Sequence, residues 1–423
     1  MQKLLRDCRI LDVVNQRVLE NRSILVEGSR IKKIGPVEKL GPFEKFLKAP
    51  SVFDLGGGLV LPGLIDAHVH LNVIPAANEL ETTVVNLRAS ENLKVLWGSK
   101  NAAETLHSGF TTVRDVGQGD NLALRDAIER GVIHGPRIVA CGWLGMSSGH
   151  QKHMGPECAF NIKPRAADMG TDGVWPVRKQ VRRLIGKGVD CIKTYSTGEG
   201  FSPHPFHSLW CEKTNYTLEE LSAIVDESHA AGRRVAAHAM VNKEGIKNAI
   251  SAEVDTLEHG LFLDEVDAKN MSEKGIYYVP TLAVVKKMWE VNDSTKIQYL
   301  KIKKEEAKRY LDAHMASFNM ARKHGVKIAA GTDTFRVMQH GNNTCEIAAL
   351  VQAGMSEMQA LVAATINAAE ALGIESEVGS IEEGKLADLI IVEPSPLNDI
   401  SYLRDRKNIK MIMKNGHIIS EAL

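Results

Sequence analysis

"LPGLIDAHVHL", residues 61–71, is an apolar run that ends in two histidines, His68 and His70. A short run of branched apolar residues predicts a buried strand. Side chains two residues apart on a strand point the same way, so both imidazoles are expected to face one point. Polar groups at the tip of a buried strand need partners, and the rest of the chain must supply them.

Seven further β-rich runs follow, separated by helical patterns; the runs are 111–115, 137–142, 191–195, 234–239, 256–260, 277–282 and 327–333. One intervening helix is predicted to begin with a capping box formed by Thr217 and Glu220. Eight β/α units in about 320 residues predict a TIM barrel. An open doubly wound sheet is the alternative, but no Gly-x-Gly-x-x-Gly pattern follows an early strand.

The two ends of the chain resemble each other and differ from this middle. "SILVEGSRIKKIG" (23–35) and "IKMIMKNGHIISE" (409–421) both read as short strands joined by tight turns. We therefore expect residues 59–375 to form the barrel, and residues 1–58 and 376–423 to form a second, composite β unit.

Composition excludes several classes of function. The 423 residues include 52 basic and 52 acidic side chains, so there is no electrostatic case for binding nucleic acid or an anionic membrane. No apolar run approaches the roughly 18–20 residues that span a bilayer. The charged start, "MQKLLRDCRILDVV", is unlike a signal peptide, so we expect a cytoplasmic protein. Six scattered cysteines without a Cys-x-x-Cys pair argue against a disulfide framework and a thiolate zinc site.

Chemistry in a TIM barrel lies at the carboxyl ends of the strands, and unusual residues fall there in this chain. The residues at these ends are His68 and His70, Lys193, His238, His259 and Asp333. Each has an ordinary explanation alone, such as a histidine bonded to a backbone carbonyl or an aspartate that caps a helix. Coincidence at the ends of five strands does not explain the set. Imidazole and carboxylate ligands suit zinc and similar divalent ions.

Several motifs together resemble the amidohydrolase superfamily over nearly the whole chain. They are "PGLIDAH" with its His-x-His, "IK", "AAHA", "EHG", "GTD", "GFTTVRD", "GPRI" and "ATINAAEALGIESEVGSIEEGKLADLIIV". The last three are typical of the branch with prolidase-like and Xaa-Arg dipeptidases, N-acyl amino acid hydrolases and ochratoxin-type amide hydrolases. The resemblance implies a TIM barrel with a small β-sandwich built from both chain termini.

The resemblance also implies two divalent metal ions per chain. His68, His70 and Asp333 would hold one ion, and His238 and His259 the other. Lys193 would be carboxylated by carbon dioxide and bridge both. Zinc is expected from the ligand set, although manganese, cobalt or iron would also suit it.

The resemblance implies amide hydrolysis by a metal-bridged hydroxide, with Asp333 as general base and then acid. Substrate-binding candidates are His150, Tyr195, Arg336 and His340. His150 matches a family histidine that helps bind the substrate carbonyl, and His340 lies in an "HG-N" element that orders its loop. Arg336 could pair with a substrate carboxylate. Each of three candidates also has an ordinary explanation: His150 could lie in a solvated loop, Tyr195 could serve only in packing, and Arg336 could form a surface ion pair.

The expected substrates are small amides or peptides, namely dipeptides or N-acyl amino acids with a free carboxylate. The loop 198–216 contains four aromatic residues, Phe201, Phe206, Trp210 and Tyr216, which would either wall an apolar pocket or pack the loop against the barrel.

Alternative functions remain open. Imidazolonepropionase-like cyclic amide hydrolysis or deamination is one alternative to amide hydrolysis of dipeptides, and enzymes of that kind usually have one metal and no strand-4 lysine. Carbamate or urea hydrolysis is another. A non-catalytic scaffold fits poorly, because all six ligand positions are present. The resemblance also implies a homo-oligomer.

Overall fold

A computed structural model of the chain describes residues 2–40, 51–76, 79–117, 119–145, 171–198, 214–294, 304–334 and 338–421. The strands within these ranges are β1 Gln2–Asp12, β2 Arg17–Glu27, β3 Arg30–Gly35, β4 Val52–Asp54, β5 Leu59–Pro62, β6 Leu64–Val69, β7 Phe110–Asp115, β8 Arg137–Gly145, β9 Cys191–Tyr195, β10 Arg234–Ala239, β11 Thr256–His259, β12 Tyr277–Val279, β13 Leu389–Val392, β14 Ile409–Lys414 and β15 His417–Glu421. The α-helices are α1 Glu79–Arg88, α2 Glu91–His107, α3 Asn121–Glu129, α4 Val174–Gly186, α5 Leu218–Ala230, α6 Lys243–Ser251, α7 Glu265–Lys274, α8 Leu282–Ser294, α9 Lys304–Lys323, α10 Thr344–Gln352, α11 Glu357–Ala363 and α12 Ile366–Leu372. Short 3-10 helices span Val37–Lys39, Ile400–Arg404 and Arg406–Asn408.

Strands β6 to β12 form one parallel sheet in chain order. The segment 327–334 lies between its two edges: the Ala329 amide donates to the Tyr278 carbonyl, and the Ala67 amide donates to the Ala330 carbonyl. Isolated bridges, Tyr278 with Ile328 and Val69 with Thr334, extend these contacts. The result is a nearly closed barrel, which confirms the predicted α/β barrel architecture and rules out an open sheet.

The capping box predicted for α5 is present. The Thr217 hydroxyl accepts from the Glu220 amide, and the Glu220 carboxylate accepts from the Thr217 amide. These bonds satisfy amide groups that the first turn of a helix leaves without a partner. Local sequence therefore determines where this helix begins.

Strands from both chain ends pair in a second sheet, in the order β15-β14-β13-β5-β1-β2-β3, with β4 against β1. Strand β13 runs antiparallel to β5, and β5 runs parallel to β1. Only Gly63 separates β5 from the first barrel strand, and a Cβ there would lie 2.1 Å from the Thr111 hydroxyl oxygen. The second sheet is thus joined directly to the strand that contains His68. A two-layer sandwich and the domain boundaries given above stay predictions.

Cys141 and Cys191 form a disulfide between the neighbouring strands β8 and β9, in which they are register partners. The spacing of the cysteines argued against a disulfide framework. A single pair is nevertheless present, because parallel strand pairing brings together two residues that are 50 positions apart. Local spacing does not report such a contact.

The α-helices of the described ranges are between 7 and 20 residues long. None of them combines the length and the low charge that a bilayer crossing requires.

Candidate metal and active site

His68, His70 and Asp333 lie together at the mouth of the barrel. Their possible ligand atoms all fall within 4.8 Å of one another. The Asp333 Oδ1 atom is 3.0 Å from His70 Nε2 and 3.7 Å from His68 Nε2. The Asp333 amide donates to the His68 carbonyl at 2.7 Å, which fixes the closing segment against the end of β6. The three side chains form a group that could hold a metal ion.

His259 and His238 lie beside this group. The ring centroids of His68 and His259 are 5.1 Å apart, and those of His259 and His238 are 4.6 Å apart. Lys193 is 1% exposed and has Trp143 and Ala236 as its register partners on the neighbouring strands. The six predicted ligand positions therefore meet at one end of the barrel.

His68, His259 and His238 each have one ring nitrogen near a protein group outside the six predicted ligand positions. His68 Nδ1 is 2.6 Å from a Glu258 carboxylate oxygen, and His259 Nδ1 is 2.8 Å from the Thr281 hydroxyl. His238 uses Nε2 instead, 3.2 Å from the Gly198 carbonyl. Such contacts orient a histidine and leave its other nitrogen for a metal.

Burial keeps these imidazoles in the form that binds metal. Desolvation, together with the charge of Lys193, lowers the pKa of His68 to about 4 and that of His238 to about 3. Desolvation and the neighbouring His238 hold the pKa of His259 well below its usual value. Burial alone would raise the pKa of Asp333, but His68 and His70 outweigh it and the pKa is lowered. Neutral imidazoles and an ionised carboxylate are the ligand forms of these residues.

Three residues at the site adopt the left-handed backbone conformation. The φ angles are 67° at His259, 51° at Thr281 and 51° at Asp333. Residues other than glycine rarely adopt positive φ, and such strain tends to occur at functional sites. The Tyr278 hydroxyl donates to the His259 carbonyl at 2.7 Å and helps to hold this conformation.

Two of the four predicted substrate-binding residues lie in the described ranges. Tyr195 packs beside the site, with its ring centroid 4.9 Å from that of His238. His340 has Nε2 3.1 Å from the His70 carbonyl and Nδ1 3.0 Å from the Thr105 hydroxyl. These contacts connect its loop to the residue that directly follows β6. His150 and Arg336 lie outside the described residues, so their roles stay predictions.

Of the four aromatic residues in the loop 198–216, Tyr216 alone falls within the described residues. Its side chain is fully buried in the main hydrophobic core, which corresponds to the packing alternative. Phe201, Phe206 and Trp210 lie outside the described ranges.

Three buried charged residues next to the site, Glu258, Arg114 and Asp66, were not identified from the sequence. Glu258 contacts His68 and pairs with Arg114 at 2.7 Å; burial alone would raise the pKa of Glu258, but Arg114 and His68 hold it well below its usual range. Asp66 accepts from the Thr332 hydroxyl at 2.6 Å and from the Asn343 side-chain amide at 2.8 Å. A carboxylate or guanidinium inside an apolar strand run was the signal that could have found them.

Trp143 was also missed, although it is the register partner of Lys193. Its indole nitrogen donates to the Tyr195 hydroxyl at 3.4 Å, and the two rings meet edge to face with centroids 6.1 Å apart. Trp143 is only half-buried. The pair therefore presents an aromatic surface beside Lys193.

Gly331 is required by close packing beneath the site. A Cβ at this position would lie 2.4 Å from a Val279 methyl and 2.8 Å from the His68 Cβ. We expect Gly331→Ala to lower the free energy of unfolding by about 1–3 kcal/mol, because the core must shift around the added methyl. Urea unfolding of the metal-free protein measures this change.

Gly186→Ala is the matched control, because nothing lies within 4 Å of a Cβ at this helical position. Alanine has the higher helix propensity, so stability should be unchanged or rise by up to about 1 kcal/mol. Equal stability of Gly331→Ala and wild type would contradict the packing argument.

Comparison with known proteins places this geometry in a family. The sequence pattern of the amidohydrolase family matches residues 59–419. Ochratoxinase from Aspergillus niger is 30% identical over 376 residues, which cover 85% of this chain and 75% of that protein. Imidazolonepropionase from Geobacillus kaustophilus is 25% identical over 435 residues, covering 95% of this chain and 91% of that protein.

A solved structure supports the same assignment. A Xaa-Pro dipeptidase with methionine bound in its active site superposes with a TM-score of 0.85 and 32% identity, covering 99% of this chain and all of that one. Members of the family generally use divalent metals. The chain belongs to the amidohydrolase family, and it is a hydrolytic enzyme that acts on C–N bonds.

Proposed function

We propose that this enzyme hydrolyses the amide bond of dipeptides or N-acyl amino acids, with two divalent metal ions at the barrel mouth. The observation that supports this best is the convergence of four imidazoles, one carboxylate and one buried lysine from five segments of the barrel. That donor set fits divalent ions, because burial lowers the pKa values of His68, His238 and His259 and each of these rings is oriented through one nitrogen.

In this proposal His68, His70 and Asp333 hold one ion, and His238 and His259 hold the other. Lys193, as a carbamate, would be a ligand to both ions, and zinc is the proposed metal. Bound ions of this kind polarise a substrate carbonyl and lower the pKa of water. The lysine must first lose its proton, which nearby cations favour.

Asp333 is the proposed general base and then general acid. Its side chain is 16% exposed, so it faces the open end of the site. There it would accept the proton of the attacking water and deliver it to the leaving nitrogen. The hydrogen bond from its backbone amide to the His68 carbonyl keeps the carboxylate beside the predicted metal ligands.

Tyr195 and Trp143 are proposed to contact the substrate. Their edge-to-face rings form an apolar wall beside Lys193, and the Tyr195 hydroxyl, which accepts from the Trp143 indole nitrogen, is the proposed contact for the carbonyl or carboxylate of a substrate. Methionine in the dipeptidase structure is an amino acid with an apolar side chain and a free carboxylate. Arg336 and His150 remain proposed partners of the polar groups, and His340, with both ring nitrogens on protein groups, is proposed to order its loop at the substrate site.

We expect Trp143→Ala to raise the KM for substrates with an aromatic side chain by about tenfold or more, since loss of an apolar wall changes discrimination on this scale. Substrates with an alanine side chain should be affected less. Steady-state kinetics on a matched pair of N-acyl amino acids measures the difference. Trp175→Ala is the control, because Trp175 is 76% exposed at the start of α4. Equal effects on both substrates would contradict the wall.

The experiment that tests the proposed function combines a substrate panel with a metal count. N-acyl amino acids and dipeptides that differ only in the C-terminal residue are hydrolysed by protein whose zinc content is measured. Two ions per chain and clear selectivity for one side-chain class support the proposal. Two ions per chain without turnover would contradict the proposed substrates and favour other C–N bonds, such as those of carbamates or ureas.

The similarity to imidazolonepropionase over 95% of this chain favours cyclic amide hydrolysis as the second candidate. That reading expects one metal ion per chain, whereas a buried Lys193 among the ligands fits two. One ion per chain, with hydrolysis of a cyclic amide, would make this second candidate the better one.

A further inference from the structure

We propose that Glu258, held in place by Arg114, is a positioning residue that fixes the orientation and the protonated nitrogen of His68, and so sets the affinity of the metal centre. The inference rests on the proposed function, because it takes His68 as a metal ligand. Neither Glu258 nor Arg114 is a ligand or a catalytic group in that proposal.

Glu258 has the geometry of a histidine orienter. It is fully buried on β11, and its Oε2 atom lies 2.6 Å from His68 Nδ1. A carboxylate that is paired with a guanidinium acts only as an acceptor, so the proton lies on His68 Nδ1. His68 Nε2 then has its lone pair on the side of Asp333, 3.7 Å away, where a metal would bind.

Arg114 fixes the other oxygen of Glu258. Its Nη2 donates to Glu258 Oε1 at 2.7 Å and its Nη1 donates to the Thr256 hydroxyl at 2.9 Å. Its Nε donates to the carbonyl of Ala67, the residue before His68, at 2.7 Å. The guanidinium is 1% exposed and connects β6, β7 and β11. One side chain therefore restrains both the carboxylate behind His68 and the backbone beside it.

A purely structural ion pair is the competing explanation, because breaking any buried pair destabilises a protein. The two explanations differ in what they predict about metal. A structural pair affects the free energy of unfolding, whereas an orienting carboxylate also affects metal affinity, typically by 10–100-fold when it is replaced.

The test compares Glu258→Gln with Glu346→Gln in the whole protein. Glu346 is also fully buried, but it accepts from the amides of Leu282 at 2.9 Å and Ala283 at 2.7 Å rather than from an imidazole. Zinc alone is titrated into metal-free protein against a competing chelator, and bound zinc per chain is counted by mass spectrometry. We expect zinc to bind about 10–100-fold more weakly to Glu258→Gln, and with wild-type affinity to Glu346→Gln.

The double variant Arg114→Met with Glu258→Gln covers the case in which the single variant does not fold, since it leaves no unpaired buried charge. It should fold and still bind zinc weakly. Wild-type affinity in either Glu258 variant, or an equal loss in Glu346→Gln, overturns the inference. Wild-type protein that binds no zinc at all would instead overturn the proposed function itself. The affinities need no substrate, so the two failures are distinguishable.

Discussion

Asp333→Asn is expected to lower kcat by about 10³-fold or more while the protein stays folded, because a carboxamide cannot accept the proton of the attacking water. Asparagine suits the position in two ways. It tolerates the left-handed backbone, here φ 51°, about as well as aspartate does, and its oxygen can replace the contact with His70 Nε2. Alanine at this position would add backbone strain, and a loss of kcat could then come from that strain and not from the missing carboxylate.

The measurement is kcat at saturating substrate, with the zinc content of each preparation counted. Asp388→Asn is the matched control: Asp388 is a buried carboxylate that pairs with Arg137 at 2.7 Å, where β8 begins, at the opposite end of the barrel from the site. That variant should lose stability and keep its turnover. Turnover of Asp333→Asn within tenfold of wild type, at equal metal content, would remove Asp333 from the proposed mechanism.

Lys193→Met should reduce bound zinc from two ions per chain to one or none, and should lower kcat by a similarly large factor. Methionine keeps the length and burial of the side chain, but it cannot form a carbamate. Metal analysis together with kinetics measures both effects.

Carbon dioxide gives an independent test of the same residue. Metal-free wild-type protein reconstituted with zinc in carbonate-free buffer should recover little activity until bicarbonate is added. Lys414→Met is the control, since Lys414 lies on β14 and donates to the Gly135 carbonyl at 2.7 Å, away from the ligands. Two zinc ions per chain in Lys193→Met, or recovery without any response to bicarbonate, would exclude the carbamate bridge.

The sequence predicted the barrel from local patterns, and the structure differs mainly at strand ends. The run predicted over 277–282 forms a strand only at Tyr277–Val279, and Thr281 beyond it has a left-handed backbone. The run predicted over 327–333 closes the barrel through isolated bridges rather than as a regular strand. Strand ends depend on hydrogen bonds to neighbours, which alternation of apolar residues does not encode.

In the candidate site, too, local patterns could be read from the sequence, whereas contacts between strands could not. Six residues were identified from sequence, because each lies within or at the end of a β-rich run and parallel strands end on one side of a barrel; they are His68, His70, Lys193, His238, His259 and Asp333. Trp143 was not identified, because its proposed role depends on contact with Tyr195, a residue on the next strand and 52 positions away.

The sequence by itself determined the order of strands and helices, the start of α5 at its capping box, and the side chains that meet at the barrel mouth. The spacing of apolar residues, helix capping and turn chemistry involve residues close together in the chain, so they can be read from the sequence. Only the tertiary structure decided that Glu258 and Arg114 lie behind His68 and that Cys141 meets Cys191. These contacts join residues between 50 and 190 positions apart, and they exist only once the strands have paired into a barrel.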